Sequence, residues 1–176
     1  MAQLTGTGMK RLHREWRRRA EGRVALVLDG LGTPANVGSI IRTAAAYAVE
    51  RVWLAGATPE VASPGVARTA LGCDRYLRFD RAATGAEAVA AAKADGFAVF
   101  GIELADGAVP LHELAIPAAV CLAVGHEDHG LAKATLAACD TVAYLPQLGR
   151  VGSLNVAVAA ALALYEVRRH EWTLPT

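Results

Sequence analysis

The chain has 176 residues, enough for one domain with a full hydrophobic core, and 53% of them are apolar, largely because alanine is abundant. No apolar run approaches the roughly 18–20 uncharged residues of a membrane span, the N-terminus lacks a signal-peptide pattern, and Cys73, Cys121 and Cys139 lack the spacing of a disulfide framework or a zinc site. A reduced, cytoplasmic setting without membrane association is therefore expected, and the net charge of +1 alone says nothing about nucleic acid.

The first predicted element is a basic helix or arm in residues 1–22. Its segment KRLHREWRRR, residues 10–19, has six Lys or Arg and one Glu, a local charge of +5 that leaves −4 for the rest of the chain. Leu12, Trp16 and Ala20 fall on one helical stripe that could dock on the domain. Two interpretations stay open: a solvated, disordered tail, or a docked arm whose basic side chains face phosphates. Those side chains are Lys10, Arg11, Arg14, Arg17, Arg18 and Arg19.

The rest of the chain alternates between apolar strand-like runs and helical stretches. Strands are predicted at 24–28, 52–55, 97–102, 119–124 and 142–145, with a weaker one at 76–79. Helices are predicted at about 37–48, 64–72, 84–94, 131–138 and 153–170. Continuous apolar strands separated by helices predict one α/β domain, residues 23–170, with a mostly parallel sheet covered by helices on both faces. Residues 171–176 are expected to be a C-terminal tail.

In such a sheet, ligands bind at the carboxyl ends of the strands, so the loops there are the places to inspect. The loop after the first strand reads DGLGTPANVGSIIRTAAAYA, residues 29–48. Its glycine spacing and missing lysine exclude a Walker A motif, and the absence of GxGxxG argues against a nucleotide-binding oxidoreductase. Asn36 at the helix start is either a cap or a functional residue. Arg42 is the single charge in the helix, either solvated or functional.

The loop VGHEDHGL, residues 124–131, follows the strand at 119–124. HEDH is one residue short of the HExxH zinc motif, so no metal site is expected. Gly125 and Gly130 on either side of Glu127 indicate a tight loop that approaches a ligand with its backbone. A plain surface turn is the alternative.

The third loop leads into the most apolar helix of the chain, in LPQLGRVGSLNVAVAAALALYE, residues 145–166. Ser153 is not set in a GxSxG elbow, which argues against a hydrolase nucleophile. Ser153 and Asn155 either cap the helix or help to hold a ligand at its free N–H groups and positive end.

Together these loops resemble the three motifs of the SpoU family of RNA ribose methyltransferases, most closely its TrmH-like members. The matching segments are TPANVGSIIRTA, VGHEDHGL and LPQLGRVGSLNVAVAAALALYE, in the same order and after strands, and the likeness covers about residues 23–167. It implies a deep C-terminal trefoil knot of the SPOUT class, although knots are rare in general. It also implies S-adenosylmethionine as methyl donor, S-adenosylhomocysteine as product, and a homodimer with the active site near the subunit interface.

The resemblance also implies roles for individual residues. The implied catalytic set is Asn36, Arg42, Glu127, Ser153 and Asn155, and the implied cofactor-binding set is Gly101, Ile102, Gly125, Leu145, Ser153, Leu154 and Asn155. Arg42 of one subunit is expected to reach the cofactor of the other and to contact RNA. A guanidinium is almost always charged, so we favour a bidentate hold on a phosphate over a role as base, with Glu127 as the fallback base.

The implied reaction is methyl transfer to a ribose 2′-hydroxyl, with tRNA the favoured substrate and a D-loop guanosine the favoured nucleotide. The alternatives are an rRNA methyltransferase and a catalytically degenerate RNA-binding or assembly factor of the same fold. Three positions depart from the family pattern: Thr33 replaces a frequent acidic residue, Gln147 replaces a common Met, and His126 occupies a variable site.

Overall fold

A computed structural model describes residues 3–173. Its centre is a seven-stranded sheet in the order β3-β2-β1-β6-β4-β7-β5, and every neighbouring pair of strands is parallel. The strands are β1 (Arg23–Asp29), β2 (Arg51–Ala55), β3 (Arg78–Ala82), β4 (Ala98–Ile102), β5 (Val109–Pro110), β6 (Ala119–Gly125) and β7 (Thr141–Tyr144). The helices are α1 (Gly6–Arg17), α2 (Pro34–Ala46), α3 (Pro64–Ala70), α4 (Gly85–Ala94), α5 (Lys133–Ala138) and α6 (Val156–Thr173).

Both faces of the sheet are covered, because the central strands are apolar on both sides. Leu26 and Leu28 of β1 lie in the larger core with α2, α3 and α6, whereas Ala25 and Val27 lie in a second core with α4. Strand side chains alternate between faces, so an unbroken apolar run buries both. The predicted α/β class with a mostly parallel sheet and helices on both faces is confirmed.

Some predicted boundaries were wrong for local reasons. β3 begins at Arg78, two residues later than the start of the predicted 76–79 run, because Cys73–Tyr76 form a 3₁₀ turn. α2 begins at Pro34, a residue type that suits the first turn of a helix because it needs no N–H acceptor. The two-residue strand β5 at the sheet edge was missed.

The helix α6 continues past the predicted domain end at residue 170. Arg168 is almost fully buried and donates hydrogen bonds to the carbonyl oxygens of Gly22 and Tyr47 and to Glu171, so the last turns of α6 belong to the folded domain. The predicted tail therefore begins too early. Its residues 174–176, like residues 1–2 of the predicted arm, lie outside the described residues.

Within the predicted basic arm, residues Gly6–Arg17 form the helix α1, and its apolar stripe is shorter than predicted. The helix ends at Arg17, and residues 18–20 form a turn that leads into β1, so Ala20 is not on the stripe. Trp16 packs edge-on against Trp172 of α6, with ring centroids 5.2 Å apart. No residue of α1 is buried, so the helix lies on the surface of the domain.

The fold gathers the predicted loops at one end of the molecule. Strands β1, β6, β4 and β7 are consecutive in the sheet and parallel, so their carboxyl ends lie side by side. The position of β7 between β4 and β5 is compatible with the expected trefoil knot, which stays a prediction. Over residues 3–173, no helix is both long and apolar enough to cross a membrane.

Candidate active site

The Glu127 carboxylate joins the loop after β6 to the start of α2. Its Oε2 accepts a hydrogen bond from the Gly32 amide at 2.9 Å, and its Oε1 accepts from the Thr33 amide at 3.0 Å and from Asn36 Nδ2 at 2.8 Å. Two segments more than 90 residues apart in the chain are thus held by one side chain. Hydrogen bonds to a charged acceptor are among the stronger ones in proteins.

Asn36 also contacts the third loop, through the side chain of Asn155. Asn155 Nδ2 donates to Asn36 Oδ1 at 3.1 Å, while Asn155 Oδ1 accepts from the amides of Ala157 and Val158 at 2.9 and 3.3 Å. Asn155 is therefore the cap of α6 and a link to α2 at the same time. Asn36 is not a cap, because it lies inside the first turn of α2 and its side chain points to Glu127 and Asn155.

These contacts set the charge state of Glu127. Burial acts to raise the pKa of the carboxyl group, but the hydrogen bonds from Asn36, Gly32 and Thr33 outweigh it and lower the pKa from its ordinary value of 4.5 to about 2. The side chain is ionised at neutral pH and is a weak base.

The loop after β6 is a tight hairpin. The backbones of His126 and Gly130 exchange two hydrogen bonds, and the rings of His126 and His129 stack with centroids 4.9 Å apart. Gly130 has φ +67°, and a Cβ there would lie 2.2 Å from Glu103 Oε2. Glycine suits this position because of its left-handed backbone conformation, and a side chain there would have to displace the Glu103 carboxylate.

A cavity of about 320 Å³ opens at the carboxyl ends of β4, β6 and β7, between the hairpin and the segment that leads into α6. Five of the predicted cofactor-binding residues line it: Ile102, Gly125, Leu145, Ser153 and Leu154. Gly101 does not: its Cβ position faces Leu131 and Cys139. Asn155 does not line it either: its side chain caps α6, between the lining residues Leu154 and Val156.

The predicted catalytic residues divide into two groups. Glu127 and Ser153 line the cavity, and Asn36 and Asn155 support it through the hydrogen bonds above. Arg42 does not line the cavity: it is exposed on α2, and its guanidinium has no hydrogen bond or ion pair within residues 3–173.

Sequence reasoning missed three supporting residues. Asp29 at the end of β1 accepts hydrogen bonds from Thr135 Oγ1 at 2.7 Å and from the Ala132 amide at 3.3 Å. Glu103 lines the cavity and accepts from the Leu131 amide at 2.9 Å. Each is a polar residue directly after an apolar strand, which was the available signal.

Thr58 is the third missed residue, and its hydroxyl group is hydrogen-bonded to the backbone at both ends of the turn after β1. Its hydroxyl donates to the Leu28 carbonyl at 2.9 Å and accepts from the Leu31 amide at 3.1 Å, and its side chain is buried. In the described part of the chain, no group of three or more His, Cys, Asp or Glu residues is placed to hold a metal ion.

A parallel α/β sheet with a ligand-sized cavity at the carboxyl ends of its strands defines a protein that binds a small molecule at that edge. The sequence model of the SpoU rRNA Methylase family matches residues 23–165. A Staphylococcus haemolyticus protein named as a TrmH family tRNA/rRNA methyltransferase is 33% identical over 148 residues, 83% of this chain and 59% of that protein. The chain belongs to the SpoU methylase family.

Two solved structures are similar throughout most of the chain. An AdoMet-bound rRNA methyltransferase from Sinorhizobium meliloti is 32% identical with a TM-score of 0.80, over 88% of this chain and 58% of that one. A structure described as giving insight into the 2-OH methylation of C/U34 on tRNA is 30% identical with a TM-score of 0.75, over 85% of this chain and 96% of that one. This chain therefore spans less than two thirds of the Staphylococcus haemolyticus and Sinorhizobium meliloti proteins. It spans nearly all of the protein whose structure concerns C/U34 on tRNA.

Proposed function

We propose that this protein transfers a methyl group from S-adenosylmethionine to a ribose 2′-hydroxyl of RNA, with tRNA as the substrate. The observation that carries the proposal is that Glu127, Asn36 and Asn155 join all three motif loops beside one cavity. The AdoMet-bound neighbour supports the donor, and the neighbour that concerns 2-OH methylation supports the acceptor.

The cavity suits the proposed donor in size and chemistry. Its volume of about 320 Å³ is at the lower end of ordinary small-molecule sites. Its lining includes apolar residues such as Leu145 and Leu154 and carboxylates such as Glu103 and Glu127, a mixture that suits a ligand with a flat base and positive charges. Ile102, Gly125, Leu145, Ser153 and Leu154 would hold it.

Bound S-adenosylmethionine would supply a methyl group already activated by its sulfonium. The protein must then orient the sugar oxygen in line with that methyl group and favour negative charge on the oxygen. Glu127 is unsuited to be the base, because its pKa is about 2 and both of its oxygens already accept hydrogen bonds. It acts as a positioning residue that fixes the start of α2.

Arg42 is the proposed catalytic residue, acting in the cavity of the partner subunit. It projects from α2 without a partner of its own within residues 3–173, so its fork of N–H donors is free to hold a phosphate and stabilise the developing alkoxide. The proposed dimer interface is the exposed apolar stripe Val158, Leu162 and Tyr165 on α6, the helix packed against α2.

The substrate class rests on two observations. Basic side chains on α1 are exposed, and the neighbour that concerns C/U34 on tRNA matches over 96% of its length. That near-complete match favours nucleotide 34 over the D-loop guanosine expected from motif resemblance. An rRNA substrate is the second candidate, supported by the Sinorhizobium meliloti neighbour.

Mapping 2′-O-methyl sites in total RNA, with and without the protein, tests the function and the substrate together. We expect one tRNA site to depend on the protein. A protein-dependent site in rRNA would replace the tRNA proposal, and no site at all, with donor bound, would favour the RNA-binding factor.

Arg42→Lys tests the proposed role of the guanidinium. We expect turnover to fall about 100-fold, about 2.7 kcal/mol of transition-state stabilisation, with donor affinity unchanged, because lysine keeps the charge and loses the fork. Arg68→Lys on α3 is the matched control. Near-full turnover in Arg42→Lys would contradict the role of the fork.

A further inference from the structure

The two histidines of the segment HEDH form a stacked pair beside the cavity. The rings of His126 and His129 lie with their centroids 4.9 Å apart and their planes inclined by 23°. Both residues line the cavity, and in the described part of the chain they belong to no cluster that could hold a metal ion. Neither side chain takes part in the hydrogen bonds by which Glu127 and Asn36 join the three loops.

The ring of His126 is held in place by the backbone around it. Its Nδ1 accepts a hydrogen bond from the Asp128 amide at 3.0 Å, and its own backbone exchanges two hydrogen bonds with Gly130. Its Nε2 lies close to the first loop, since a Cβ built on Gly32 would be 3.1 Å from that atom. His126 is therefore a fixed support for the ring of His129 that stacks on it.

His129 lies where the cavity meets the solvent. Four of the residues that line the cavity are exposed and form its rim: Leu104, Asp128, His129 and Ser153. His129 is the one aromatic residue of this rim. Its ring has no hydrogen bond or ion pair within residues 3–173, and the ring of His126 is the one aromatic group stacked on it there. A flat group that arrives from the solvent can therefore stack on His129.

We propose that the stacked rings of His126 and His129 form a platform for the base of the nucleotide whose ribose is methylated, with that base lying on His129. This inference rests on the proposed function. The acceptor oxygen must reach the methyl group inside the cavity, so the base joined to the same ribose lies close to the rim. Aromatic side chains stack on any of the bases, because each base has a π-face. His126 occupies a variable site of the family, so the platform is a property of this chain.

The first test is a methylation assay on the RNA that the mapping of 2′-O-methyl sites identifies. For His129→Ala, we expect the KM for this RNA to rise about 10-fold, about 1.4 kcal/mol, with kcat and the affinity for S-adenosylhomocysteine unchanged. His129→Phe keeps a flat ring and should stay within about 3-fold of the wild type, whereas His129→Lys should be as impaired as His129→Ala. His112→Ala, at an exposed histidine that does not line the cavity, is the matched control and should behave as the wild type does.

The second test removes the proposed partner of His129 from the RNA. An RNA whose target nucleotide lacks its base should lose kcat/KM by about 10-fold more with the wild type than with His129→Ala, because the base and the ring contribute through the same contact. An equal loss with both proteins would overturn the stacking.

The outcomes separate the two proposals. If the wild type methylates no RNA, the proposed function fails and this inference fails with it. If the wild type is active but His129→Ala keeps its KM, or loses affinity for S-adenosylhomocysteine, only the platform is overturned. Rescue by lysine and not by phenylalanine would also overturn it, in favour of a phosphate contact. Thermal melting shows whether each variant is folded, and the RNA without the target base tests the wild type itself.

Discussion

Glu127 is the residue on which the three loops depend, because a single carboxylate satisfies two backbone amides and one side-chain amide. An amide in its place could accept at one atom only, and its own N–H₂ would then face an N–H donor. The cost of such a mismatch is about 1–3 kcal/mol. The same hydrogen bonds make the stability of the protein depend on pH.

Glu127→Gln should lower the free energy of unfolding by roughly 2 kcal/mol at pH 7. The folded pKa of about 2 is below the ordinary 4.5, so the wild type has this stabilisation above about pH 4.5 and loses it as the pH falls towards 2. The difference in the free energy of unfolding between the wild type and the variant, measured in urea, should therefore become smaller as the pH falls over that range. Glu21→Gln, at an exposed position, is the control, and a gap that does not change with pH would contradict the assignment.

The residues of the motifs were predictable, and their partners were not. Asn36, Glu127 and Asn155 were expected in the site because they stand in loops that resemble known motifs. Which one caps a helix, and which links two loops, depends on contacts between residues 91 and 119 positions apart. Asp29 was missed for the same reason, since its partner Thr135 is 106 residues away.

At the scale of elements, apolar runs predicted six of the seven strands, and the pattern is strongest in β1, β2, β4 and β6, which are buried on both faces. β5 has only two residues and leaves no pattern. The end of α1 was predicted too late, because the stripe Leu12, Trp16 and Ala20 continues in the sequence while the backbone turns after Arg17 to begin β1. The spacing of apolar residues predicts a helix but not its last residue, which here depends on the turn into β1.

The same helix carries a prediction about RNA. Arg14, Arg17 and Arg18 are exposed and have no ion pair within residues 3–173, so they are available to phosphates. Replacing all three with Gln should weaken RNA binding and reduce the slope of log affinity against log salt by about 2, with S-adenosylhomocysteine affinity unchanged.

A charge-matched variant controls for this effect. Replacing Arg68, Arg75 and Arg78 with Gln changes the net charge equally, away from α1. An equal loss of RNA affinity in both triple variants would show a general effect of charge instead of a binding arm. Parallel loss of donor affinity would show that α1 supports the fold.

At the scale of the molecule, parallel pairing and two covered faces were predictable, but the order β3-β2-β1-β6-β4-β7-β5 was not. The apolar sequence of β4 does not name its neighbours, which are β6 and β7, two strands that come later in the chain. That order nevertheless determines which loops meet, and so where the cavity forms.

The proposed dimer gives a prediction at this scale. Leu162 is 46% exposed in the middle of the stripe on α6, and placing a charge there should prevent association. Leu162→Glu is expected to elute as a monomer in size-exclusion chromatography and to lose methyl transfer. Leu71→Glu, at an exposed leucine after α3, should behave as the wild type, and a dimeric Leu162→Glu would contradict the interface.

The pairing of β1 with β6 has a consequence for biosynthesis. Residues 23–29 lie against residues 119–125, so one edge of β1 stays unpaired until the ribosome has added nearly a hundred further residues. At ordinary translation rates that interval is roughly 5–20 s, far longer than local structure needs to form. During that time the nascent chain exposes an unpaired, apolar strand edge. A chaperone would bind the chain at this stage. Crowding on a polysome would favour pairing of this edge between neighbouring copies.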